Sequence, residues 1–118
     1  MSSVSEQPPA SQRVFVTGMG MVSPLGNTFQ SHIDSMRKGE THFREIDFFD
    51  VSRQRVQTAG VAELPEYSSD YHITERLYGR LDRGSRLLLH ATSEALNNAA
   101  LSDVPSMTPY VIGTSASA

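Results

Sequence analysis

The sequence predicts an α/β fold in which parallel-type strands are covered by helices. Three observations carry that prediction. A run of β-branched and aromatic residues, Val14–Thr17, leads into a glycine-rich corner and then an amphipathic helix. A second, longer helical pattern with many small residues spans Leu81–Leu101. A further apolar run, Tyr110–Thr114, has strand character.

Each element has its own local reasons. Val14, Phe15, Val16 and Thr17 show no polar alternation, as expected of a strand buried on both faces. Gly18 and Gly20 end it, and Ser23-Pro24-Leu25-Gly26-Asn27 reads as a turn, because Pro fixes φ and Gly permits a positive φ. Thr28–Lys38 is the first helix. Phe29, Ile33 and Met36 fall on one stripe, Asn27 or Thr28 can cap the first turn, Arg37 and Lys38 suit the negative end of the dipole, and Gly39 supplies the stop.

Gly39–Arg55 reads as a long connection. Its apolar residues Phe43, Ile46, Phe48, Phe49 and Val51 are irregularly spaced. Two readings of them stay open: a loop folded over its own core, or a subunit contact. Val56–Val61 alternates apolar and polar residues and suits a strand with one exposed face, Glu63–Ser69 is loop, and Asp70–Tyr78 holds a short helix interrupted at Gly79. In the long helix, Leu88, Ala91, Ala95 and Ala99 form one stripe and Leu89, Thr92, Leu96 and Ala100 the next, so its broad small face should lie very close to a neighbour. Asp82 caps it or favours its positive end, and Ser102, Asp103 and Pro105 end it. The strand Tyr110–Thr114 lacks the crossover helix that would normally follow. Residues Met1–Gln12 are expected to form a disordered tail, and residues 13–118 one incomplete domain.

Composition narrows function. The 118 residues hold 10 basic and 13 acidic side chains, a net charge of −3 that argues against a nucleic-acid partner. No apolar run approaches the ~20 residues of a membrane helix, and the first residues lack the basic and apolar regions of a secretory signal, so a cytoplasmic location is expected. Cysteine is absent, which removes disulfides, thiolate metal sites and a cysteine nucleophile from these residues. No metal and no cofactor are expected. His32, His42, His72 and His90 show no metal-ligand spacing, and packing or surface roles are expected for all of them, with His32 half-exposed beside the apolar stripe. Asp34, Asp47, Asp50, Asp70 and Asp82 are assigned solvated or capping roles.

A strand followed by Gly-x-Gly invites a dinucleotide-binding reading. The third glycine of that fingerprint would fall at Ser23, and Pro24 would occupy a position where a helix should already donate N–H groups to a pyrophosphate. The preferred reading is a tight corner between strand and helix.

The run Val16-Thr17-Gly18-Met19-Gly20-Met21-Val22-Ser23-Pro24-Leu25-Gly26-Asn27 resembles the opening of the elongating β-ketoacyl-(acyl carrier protein) synthases, condensing enzymes of the thiolase-like family. Further stretches are similar to that family in the same order: Ile46–Asp50, Thr58-Ala59-Gly60, Arg80–Arg83 running into Ala95, Leu96 and Ala99, and Tyr110–Ser115. The likeness implies the N-terminal part of the first βαβαβ half of a thiolase-like fold. It implies a complete protein that condenses an acyl thioester with a malonyl-acyl carrier protein, in fatty-acid or polyketide and polyene synthesis. Partners so implied are an acyl carrier protein and a second ketosynthase subunit, in a homodimer or heterodimer. The family's cysteine nucleophile and two histidines lie downstream of the matched region, so no catalytic residue is assigned here and the isolated chain is expected to be inactive. Ser115 and Ala116 stand where the family has a glycine-rich loop beside the acyl pocket, and the resemblance assigns them to substrate binding. The alternative is a non-catalytic ketosynthase-like module that pairs with a complete subunit.

Overall fold

The computed structural model describes residues 6–115. Helix α1 is Phe29–Lys38, strand β1 Phe43–Glu45, strand β2 Thr58–Gly60, helix α2 Glu75–Arg80 and helix α3 Arg83–Asn98, with single 3-10 turns at Ala10–Gln12 and Ser69–Tyr71. Of the expected tail, Met1–Ser5 lie outside the described residues, and Ala10–Gln12 is an exposed turn.

Helix α1 forms where its local signals place it. Thr28 is the cap: its hydroxyl accepts the Ser31 N–H at 3.1 Å, and the Ser31 hydroxyl accepts the Thr28 N–H at 3.2 Å. Gly39 closes the helix in the left-handed region with φ 68°, and the Glu40 N–H returns to the Ser35 carbonyl at 3.0 Å. Helix α2 starts at the Thr74 cap and runs through Gly79 to Arg80, so the expected interruption at Gly79 does not occur. The following bond from the Leu81 N–H to the Tyr78 carbonyl, at 3.1 Å, carries that turn past the glycine.

The sheet differs from the expected one. Strands β1 and β2 are antiparallel, with Phe43 opposite Gly60, Arg44 opposite Ala59 and Glu45 opposite Thr58. Strand β2 falls inside the predicted segment Val56–Val61, whereas β1 lies in what the sequence read as connection. Val14–Thr17 and Tyr110–Thr114 are not strands. They run without ladder partners, with Val14 95% and Val111 98% exposed. A strand exists only when a second one satisfies its N–H and C=O groups, and these two segments have the composition for a sheet without such a partner among the described residues. The parallel βαβ arrangement is therefore corrected to helices plus one antiparallel hairpin, and the chain remains α/β.

Little is deeply buried. Tyr71 and Tyr78 are each 6% exposed, and their rings stack with centroids 5.5 Å apart. Tyr67 closes the cluster at 5.8 Å from Tyr78. Two hydroxyls donate to backbone carbonyls, Tyr67 to that of Ile73 and Tyr78 to that of Pro65, and the Tyr71 hydroxyl lies 3.2 Å from that of Glu66. Arg86 lies over the Tyr78 ring at 5.0 Å and donates to the carbonyls of Leu81 and Gly79, which ties this cluster to α3. The radius of gyration is 18.5 Å, against about 13–14 Å for a compact domain of this length.

Candidate functional site

The glycine corner, Gly18–Gly20, packs against α3. The small face of α3 is where the corner lies. A Cβ on Gly20 would strike the Ala91 carbonyl oxygen, and one on Gly18 would strike the Ala95 carbonyl oxygen and stand 2.9 Å from the Ala99 Cβ. Only backbone without side chains fits there. The expectation that this helix face lies very close to a neighbour holds, and that neighbour is the corner itself.

Polar side chains on the same helix pin the corner. Asn98 Nδ2 donates to the Met19 carbonyl at 2.8 Å. Glu94 accepts the Met21 N–H at 2.9 Å on Oε2 and the Phe29 N–H at 2.7 Å on Oε1. Phe29 is the first residue of α1, so its N–H has no partner within the helix, and the carboxylate also meets the positive end of that helix. His90 sits one turn before Glu94. Its Nε2 donates to the Asn27 carbonyl at 2.8 Å, and its Nδ1 accepts from the Tyr71 hydroxyl at 2.7 Å. Burial pushes the Tyr71 hydroxyl pKa above its ordinary value, with Tyr78 and Asp70 adding to the shift.

The turn itself is closed by reciprocal backbone bonds between Ser23 and Gly26, both 3.0 Å, with Gly26 at φ 149°. The Pro24 ring lies against Gly60, which sets the hairpin on the turn. Ser23 Oγ is 2.6 Å from His32 Nε2, and His32 Nδ1 is 2.6 Å from the Thr28 carbonyl oxygen. His32 is 2% exposed, not half-exposed as the helical stripe suggested, because the turn folds back over α1. Beside this pair opens a cleft of about 430 Å³ lined by Ser23, Asn27, His42, Phe43, Arg44 and others. His42 donates from Nδ1 to the Pro24 carbonyl at 3.0 Å on its rim.

Ser115, one of the two residues expected at the acyl pocket, and the aspartates expected to be solvated or capping stand apart from this cleft. Ser115 is exposed and lines neither this cleft nor the one beside His90, and Ala116 lies outside the described residues. Asp47 is 3.4 Å from Arg44, Asp34 accepts from Gln30 at 3.0 Å, and Asp50 accepts the Ser52 N–H at 2.9 Å. Asp82 precedes α3 without a side-chain bond to the helix backbone. The Ser85 hydroxyl donates to it and holds its carboxyl below the usual carboxylate range. Sequence reasoning missed Glu94. Its signal was present: His90, Glu94 and Asn98 recur every fourth residue beside the small face.

These features define a class: an α/β segment whose glycine corner lies close against a small-faced helix and is pinned there by that helix's polar side chains. The sequence profile described as Beta-ketoacyl synthase, N-terminal domain, matches residues 11–118. The chain belongs to that family. It is 30% identical over 90 residues to a Synechocystis protein named 3-oxoacyl-(acyl-carrier-protein) synthase 2, a match covering 76% of this chain and 21% of that protein. It is 30% identical over 103 residues to the chloroplastic 3-oxoacyl-(acyl-carrier-protein) synthase II of Arabidopsis thaliana, covering 86% and 19% respectively. A Staphylococcus aureus 3-oxoacyl-(acyl-carrier-protein) synthase 2 is 32% identical over 90 residues, again 76% and 21%. The chain thus spans about one fifth of the length of these relatives.

Proposed function

We propose that these residues form the N-terminal part of a 3-oxoacyl-(acyl carrier protein) synthase, an acyltransferase that joins an acyl thioester to malonyl-acyl carrier protein with loss of carbon dioxide. The observation that carries this reading is the family match over residues 11–118. The exposed apolar segments support it. Val14–Val16 and Tyr110–Ile112 suit inner strands of a thiolase-like sheet that further polypeptide would pair and cover. The condensation needs a nucleophilic thiol, and this chain has no cysteine, so the chain alone does not carry out that condensation. The working protein uses no metal or dinucleotide, meets an acyl carrier protein, associates with a second ketosynthase subunit and acts in the cytoplasm, in fatty-acid or polyketide and polyene synthesis. Among the described residues no helix is long and apolar enough to cross a membrane. Ser115 and Ala116 border the acyl pocket.

The test is condensation by the chain extended to the length of its relatives, beside the 118 residues alone. Carbon–carbon bond formation by the extended protein only is expected. Condensation by the short chain would overturn the assignment of roles. A second reading, a non-catalytic module that pairs with a complete subunit, is favoured by the same exposed segments. Size-exclusion chromatography separates it: a stable monomer with a cooperative melt counts against the module.

A further inference from the structure

The proposed condensation does not use the Ser23–His32 pair, yet its geometry is that of a nucleophile with its base. We propose that Ser23 is an acyl acceptor: a serine activated by His32 that takes the acyl group of an activated ester or thioester entering the cleft beside Asn27, Phe43 and Arg44.

The hydrogen positions follow from the partners. A carbonyl only accepts, so the 2.6 Å contact between His32 Nδ1 and the Thr28 oxygen places the ring proton on Nδ1. Nε2 then presents its lone pair to Ser23 Oγ at 2.6 Å, and the serine hydroxyl donates to it. The Leu25 N–H at 3.1 Å takes one Oγ lone pair, and the other meets no donor among the described residues. The base is shielded at 2% exposure, while Ser23 lines the open cleft. Nucleophile, base and orienting group are therefore aligned before any ligand arrives. Arg44, joined to Asp47 only at 3.4 Å on the exposed side, lines the same cleft and supplies positive charge for a developing oxyanion.

The step balances within the pair. Ser23 Oγ attacks the carbonyl carbon while its proton passes to His32 Nε2. The tetrahedral intermediate collapses, the bond to the leaving sulfur or oxygen breaks, and the leaving group takes the proton from Nε2. An ester on Ser23 and a free thiol or alcohol remain. Tyr71 with His90 is the poorer pair. Tyr71 is 6% exposed, and burial makes its hydroxyl harder to ionise.

The folded 118-residue chain is treated with a fluorophosphonate probe and mapped by peptide mass spectrometry. One label is expected, at Ser23, absent in Ser23→Ala and at least about tenfold slower in His32→Gln. Because His32 is buried, that variant can lose its fold, so Ser23→Cys provides a second reading. In this cysteine-free chain its thiol should react with iodoacetamide faster than the exposed thiol of Ser106→Cys at neutral pH. No label at Ser23 in the folded chain, or a Ser23→Cys thiol slower than the Ser106→Cys thiol, overturns the proposal.

Discussion

The carboxylate of Glu94 holds the backbone N–H of Phe29 at 2.7 Å, joining α3 to the first turn of α1 across 65 positions of sequence. Its other oxygen holds Met21 at 2.9 Å. One side chain thus fixes both ends of the segment that contains the Ser23–Gly26 turn. Glu94→Ala should remove two charge-assisted bonds to backbone N–H groups and cost about 1–3 kcal/mol. Chemical denaturation of the variant against the parent chain measures it, and an unchanged midpoint would show that the clamp contributes nothing.

Gly20→Ala tests the contact between corner and helix. The added methyl would meet the Ala91 carbonyl oxygen, which belongs to a helix and cannot swing away. A loss of about 1–3 kcal/mol is expected. Gly113→Ala is the control, because nothing stands within 4 Å of a Cβ there. Thermal melts of the two variants should separate clearly.

The end of α3 offers a stabilising change. Ala100 takes φ 56°, and the Leu101 N–H returns to the Leu96 carbonyl at 3.0 Å, a helix closure that glycine normally fills. Ala100→Gly should remove left-handed strain and raise stability by up to about 1 kcal/mol. A lowered melting temperature would contradict this reading of the cap.

Stability should fall in alkaline solution. Burial raises the Tyr71 pKa above its ordinary 10.0, so the folded chain keeps a proton that the unfolded chain releases. The contribution is full below the unfolded value and is lost as pH rises from there through the higher folded value. Denaturation midpoints across that range should decline in the parent chain and less steeply in Tyr71→Phe. Equal slopes would remove Tyr71 as the cause.

How much of this was legible in the sequence depended on range. Helix α1 was readable almost to the residue, because Thr28, the Phe29–Ile33–Met36 stripe and Gly39 act within a few positions. The body of α3 was readable for the same reason, but its end at Asn98 was not, since nothing in alanine announces a positive φ at Ala100. Strand β1 escaped notice because Phe43-Arg44-Glu45 is a strand only by virtue of Thr58–Gly60. Val14–Thr17 failed in the opposite way: its composition is right and its partner is not among the described residues. The Ser23–His32 contact needed the turn to fold back on the helix, an event no periodicity records. Among the site residues, only the close fit of Ala91 and Ala95 to a neighbour could be read directly.

Hydrogen–deuterium exchange at Val14–Thr17 and Tyr110–Thr114 tests the central claim most directly. The amides of both segments should exchange freely in the 118-residue chain. They should gain strong protection, at least about a hundredfold, in the chain extended to the length of its relatives, where a covered sheet would take them up. Equal, rapid exchange in both proteins would contradict the account.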